Sequence, residues 1–217
     1  GKEIQQTVEQ EHLGIIRNSS SHQDKLAEDR IKKGRRTLYS LMGTGVHGLN
    51  GLNPGTSSKM WKIYILPQML FGLEVTNNPS SEVKKMEQFQ RETMKQLQGL
   101  PPNASNAATY LLLGLGPLEG ALEKSILTTF CTMLRNTESA EYRILYRQLA
   151  IKNSKSKSWI NTVKSALYKY DLPSAYDLVL DTPDKETWKN CIKNAINLYH
   201  ENELKEQIAS QTSCRYI

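Results

Sequence analysis

Apolar side chains recur along most of this chain at steps of three and four residues, the signature of amphipathic helices. From about Asp24 onward, Ala27, Ile31, Gly34, Leu38 and Leu41 fall on one helical face. Thr56 or Ser57 caps a second helix. Its apolar residues (Met60, Trp61, Ile63, Tyr64, Ile65, Leu66, Met69, Leu70, Phe71 and Leu73) cover nearly all sides. That predicts a central buried helix, kinked or broken at Pro67. After the turn Asn77-Asn78-Pro79, Val83, Met86, Phe89, Met94 and Leu97 form the stripe of a third helix, which stops at Gly99. A short apolar helix follows and ends in Gly114-Leu115-Gly116. Pro117 then opens a helix whose core face is Leu118, Leu122, Ile126, Thr129 and Met133. Tyr142, Leu145 and Leu149 mark the next. Beyond the polar run Asn153 to Ser158 come a helix from Trp159 to Tyr170, a break at Pro173 and a short segment to Leu180. The last helix starts at Thr182-Pro183 on Trp188, Ile192, Ala195, Ile196 and Tyr199, and is expected to fray from Glu201. At the start, His12 to Ile16 reads as a single strand. The expected fold is therefore an all-α multi-helical bundle with at most one short N-terminal strand.

Composition fits a folded chain of 217 residues, with 38% hydrophobic and 23% charged residues. A net charge of +6 favours a polyanionic partner without requiring one. The longest apolar run, Ile63 to Leu73, holds Pro67 and Gln68 and is too short to cross a bilayer. Gly1 to Gln10 is too polar for a signal peptide. Cys131, Cys191 and Cys214 are odd in number and widely spaced, which points to a reducing, intracellular compartment, nuclear or cytoplasmic. The chain does not begin with Met and is expected to be a piece of something longer.

The charge is most concentrated from Arg30 to Arg36, where no acid interrupts the basic run. Lys32, Lys33 and Arg36 point away from the apolar face, with Arg30 and Arg35 on its flanks. Such a face is either ordinary solvated surface or a phosphate-binding strip. Gly43-Thr44-Gly45-Val46-His47-Gly48 matches the dinucleotide fingerprint in letters only, because it follows a helix instead of leading from a strand into one. His47 has no partner nearby in sequence and reads as a loop residue. Cys191, His200 and Cys214 stand 9 and 14 positions apart, unlike the tight pairs of zinc sites, so no metal site is expected. No nucleophile motif appears.

Several motifs occur in a telling order. His12-Leu13-Gly14-Ile15 precedes a basic helix ending Leu38-Tyr39-Ser40-Leu41. Then come Trp61-Lys62-Ile63-Tyr64-Ile65-Leu66-Pro67 and Leu70-Phe71-Gly72-Leu73-Glu74, followed by Phe89-Gln90-Arg91, Leu97-Gln98-Gly99-Leu100-Pro101 and Gly116-Pro117-Leu118-Glu119. From His12 to Arg135 this resembles the thumb and C-terminal region of reverse transcriptases from non-long-terminal-repeat (LINE-type) retrotransposons. The resemblance implies that residues 1–22 end a palm-like segment and 23–152 form a helical thumb-like domain. Residues 153–158 would then be a linker and 159–217 a C-terminal helical segment. It implies a thumb that grips the backbone of a template–primer duplex, RNA–DNA or DNA. The candidate nucleic-acid contacts are Arg30, Lys32, Lys33, Arg35, Arg36, Lys59 and Lys62. In that family palm aspartates, including an adjacent pair, hold magnesium for polymerisation. No Asp-Asp pair occurs here, so the chain alone is expected to be no enzyme and to carry no cofactor, although its parent would be an RNA-directed DNA polymerase. The competing expectation is a helical protein–protein interaction or scaffold module. It would meet the absent fingers and palm, or self-associate.

Overall fold

A computed structural model of the chain describes residues 9–12, 14–18, 22–151 and 156–211. Helices α1 (His22–Met42), α4 (Ser80–Leu97), α6 (Leu118–Arg135) and α10 (Lys185–Ser210) form its frame. The shorter α2 (Pro54–Met60), α3 (Leu66–Leu70), α5 (Asn106–Leu113), α7 (Ala140–Ile151), α8 (Trp159–Lys169) and α9 (Ala175–Leu180) fill in around them. The protein is an all-α multi-helical bundle.

The N-terminal expectation needs correction, because two short strands stand where one was expected. β1 (Glu9–His12) pairs antiparallel with β2 (Ile15–Asn18), with His12 opposite Ile15. Gly14 sits at φ +75°, a left-handed conformation open to a residue without Cβ, and the chain reverses there instead of running straight through.

The stripes read from periodicity pack largely as expected. Met86, Phe89, Met94 and Leu97 of α4 are buried, as are Leu118, Leu122 and Ile126 of α6 and Trp188, Ile192 and Ile196 of α10. One hydrophobic cluster runs from Leu26 through Trp61, Phe130 and Ile160 to Leu204. α10 lies against α6 and α5. It continues to Ser210 instead of fraying at Glu201, because Leu204 is buried and Glu201 pairs with Lys205 one turn on, at 2.6 Å. Residues 153–155 of the expected linker lie outside the described ones, and 156–158 lie within them. There Ser156 accepts hydrogen bonds from Asn161.

The segment from Pro54 to Leu70 departs most from expectation. It starts earlier, with the Asn53 side chain accepting from the Gly55 amide. Between α2 and α3 the turn widens to a π-helix over Trp61–Ile65, where the Leu66 amide reaches back to the Trp61 carbonyl. Pro67 follows directly. It has no N–H to give, and a widened turn relieves the clash of its ring with the preceding carbonyls. The segment is not buried all round. Trp61, Ile65 and Met69 are, and Met69 fits against Gly34 of α1, whereas Ile63, Tyr64 and Phe71 are about half or more exposed. Packing from α1 covers one side of the segment and leaves the opposite side to solvent.

The glycine-rich loop from Gly43 to Asn53 closes on itself and on α4. The Leu52 amide donates to the Gly45 carbonyl at 2.7 Å, and a Cβ on Gly48 would stand 2.0 Å from the backbone oxygen of Gln96. Its glycines serve close backbone approach. Among the described residues no helix is long and apolar enough to cross a membrane.

Candidate nucleic-acid interface

Helix α1 sorts its basic residues into three environments. Arg30 is 3% exposed and faces inward. Its Nη2 donates to the Gly14 carbonyl at 2.6 Å, its guanidinium lies 5.1 Å from the centre of the Phe71 ring, and Asp29 stands 3.8 Å away. Burial pulls its pKa down, opposed by Asp29, Glu74 and Glu11. Arg30 thus ties the β-hairpin and the end of α3 to α1, and as a backbone-gripping residue it is corrected out of the strip. Arg30→Ala is expected to cost about 1.5–3 kcal/mol in urea denaturation, the range for a hydrogen bond to a charged group.

Lys33 occupies the edge of the helix. It pairs with Asp29 at 2.8 Å and lies 4.0 Å from Glu11, so acids from the preceding turn and from β1 partly neutralise a run that looked unopposed. Lys32, Arg35 and Arg36 are exposed and share the outer face. Lys32 and Arg36 stand four residues apart, about 6 Å along the axis. Arg35 rests 5.4 Å over the Phe89 ring, which pre-orients its guanidinium while leaving it in water. Tyr39, 59% exposed, follows one turn on from Arg35 and Arg36. Beside this face the Thr37 hydroxyl donates to the Gln68 side-chain oxygen at 2.7 Å, joining α1 to the exposed edge of α3.

Lys59 is exposed in the last turn of α2. Lys62 belongs to another neighbourhood: its Nζ donates to the Gly114 carbonyl at 3.1 Å, at the left-handed residue that ends α5. It helps line a groove of about 640 Å³ whose walls come from α5, α6 and α10 and include no α1 residue. The structure therefore brings Lys32, Arg35 and Arg36 together and sets Lys62 apart.

A second set of polar residues, of which the sequence draws attention to His200 alone and only as a metal ligand to be set aside, surrounds a pocket of about 390 Å³ beside α4, α5, α6 and α10. Glu87 accepts from the Tyr110 hydroxyl and, at 2.6 Å, from the Leu118 amide, so a carboxylate stands at the N-terminus of α6. Burial raises the pKa of Glu87 and, further, that of Tyr110. Glu123 accepts from the Tyr170 hydroxyl and pairs with Lys169 at 3.0 Å; Tyr170 meets His200 Nε2 at 2.9 Å, and His200 Nδ1 meets Glu203 at 3.2 Å. These contacts join α6, α8 and α10. Spacings of 30 and 47 residues hide them from any local pattern.

His200 is buried, and burial followed by the nearby Lys169 charge lowers its pKa from 6.5, against the pull of Glu203 and Glu123. The unfolded chain consequently binds its proton first. The neutral ring's contribution to stability is complete above about pH 6.5 and is lost as pH falls toward the folded value. Glu87, with a raised pKa, acts with the opposite sign above its ordinary value of 4.5. The difference between wild type and His200→Gln in denaturation midpoint isolates the histidine: it should shrink as pH falls below about 6.5.

Among the described residues no group of three or more His, Cys, Asp or Glu side chains is placed to hold a metal ion. Cys131 is buried, where burial pushes its thiol up to about 12, and Cys191 is exposed. Cys214 lies outside the described residues. Comparison with protein-family models, curated proteins and solved structures finds no match to this chain.

Proposed function

We propose that this chain is the thumb-like portion of a LINE-type retroelement reverse transcriptase, gripping the phosphate backbone of a template–primer duplex without performing chemistry itself. The observation that carries the reading is the outer face of α1, where Lys32, Arg35 and Arg36 stand exposed with Tyr39 and no carboxylate pairs with them among the described residues. Three cations on one rigid helix suit contacts that position a duplex without reading its bases. The ordered motifs from His12 to Arg135 add to it. In this reading magnesium and catalysis belong to the parent's palm, and the site of action is intracellular. The deciding experiment is fluorescence anisotropy of a labelled RNA–DNA hybrid at two salt concentrations. Affinity that falls steeply with salt supports the grip, and no binding at low salt refutes it.

A second reading is favoured by the exposed apolar residues Ile63, Tyr64 and Phe71. Such an edge suits the fingers and palm of a longer protein, or a second copy of this chain. Sedimentation of the pure chain separates the two, since a monomer at all concentrations excludes self-association.

A further inference from the structure

The groove beside Lys62 is built differently from the α1 strip. Leu111, Leu115 and Ile196 supply apolar floor, and Lys62, Lys124 and Lys193 stand on its rim from three different elements. Its volume is about 640 Å³. Lys189 precedes Lys193 by one turn of α10. Both lie close enough to Lys124 that their charges, after burial, lower its pKa. Among the described residues none of Lys124, Lys189 and Lys193 pairs with a carboxylate. The one acid lining the groove, Glu201, is already engaged by Lys205 at 2.6 Å. Crowded cations without counter-charge are costly, and a partner bringing carboxylates relieves them.

We propose that this groove docks an acidic amphipathic helical segment of a partner protein, its apolar face on Leu111, Leu115 and Ile196 and its carboxylates on Lys62, Lys124 and Lys193. Charge complementarity names the occupant's sign, and the apolar floor names its other face, as in helix-in-groove recognition. A nucleic-acid strand fits less well, because no Phe, Tyr or Trp lines the groove for bases to stack on. The proposal stands independently of the α1 strip.

The probe is a fluorescein-labelled peptide with Leu at i, i+3, i+4 and i+7 and Glu at most other positions, titrated into the full chain. A scrambled peptide of the same composition is the comparison. The wild-type chain is expected to bind the amphipathic peptide at least about tenfold more tightly than the scrambled one, a difference of about 1.4 kcal/mol. Lys124→Glu with Lys193→Glu should weaken binding at least about tenfold, while Lys32→Glu with Arg36→Glu leaves it unchanged. If the double variant loses its helical circular dichroism, the exposed Lys193→Glu alone carries the test. Equal binding of the scrambled peptide, no binding by wild type at low salt, or displacement of the peptide by an RNA–DNA hybrid would each overturn the proposal.

Discussion

Trp188→Ala lowers stability by about 3–5 kcal/mol, the usual cost of truncating a buried Trp. For a chain of this size that is a fall in Tm of about 6–20 °C. Trp188 is 2% exposed near the start of α10, and its indole donates to the Leu127 carbonyl of α6 at 3.1 Å. The Leu127 carbonyl sits mid-helix, so the loss is chiefly packing, and Trp188→Phe should recover most of it. The variant also reports on how the molecule is divided. α10 shares a hydrophobic cluster with α6, α4 and the Trp61 segment, so loosening its anchor should destabilise the whole bundle in one transition. Urea unfolding followed by far-UV circular dichroism and by fluorescence of the remaining Trp61 and Trp159 tests this. Coincident curves, shifted together, are expected. Two separated transitions would mean that the C-terminal helices form a unit of their own.

What the sequence made legible follows from how far each cause reaches along the chain. The stripe Met86, Phe89, Met94 and Leu97 could be read because helical periodicity is local, and the same holds for Trp188, Ile192 and Ile196. The segment from Met60 to Leu70 could not, because its apolar residues cover nearly all sides and the positions of α1 and α4 decide which side is covered: Met69 fits against Gly34 of α1 and Trp61 against Phe89 of α4. Hence Trp61 is buried while Tyr64 is 48% exposed. The inward place of Arg30 is hidden from periodicity for a similar reason. Its partner is a carbonyl 16 residues away, brought back by a hairpin whose reversal at Gly14 leaves no periodic mark. The basic groove is further still from view, since Lys62, Lys124 and Lys193 meet only through the packing of α5, α6 and α10. The outer face of α1 was legible because Lys32, Arg35 and Arg36 lie within five residues of one helix.

Reversing all three of these charges, Lys32→Glu with Arg35→Glu and Arg36→Glu, should have the largest effect on binding. Each change subtracts two units, so the formal net charge falls from +6 to zero, 6 − 3 × 2. Every phosphate contact contributes about 0.9 to the slope of log K against log salt. If the α1 face grips a duplex as proposed, losing three contacts should flatten that slope by roughly 3, and repulsion of the new carboxylates by the duplex should lower affinity further at every salt concentration. The helix itself should survive. The three side chains are exposed, Glu is nearly as good a helix former as Lys or Arg, and the buried face of Ala27, Gly34 and Leu38 is untouched. A further discriminating control is Lys84→Glu with Lys189→Glu and Lys193→Glu, which changes the net charge equally at exposed positions off α1. If duplex affinity tracks net charge alone, both triple variants lose it equally and no strip exists. If the α1 face is the contact surface, the first variant loses the salt-dependent binding and the control retains most of it, because screening over about 10 Å confines each charge's influence to its own side of the molecule.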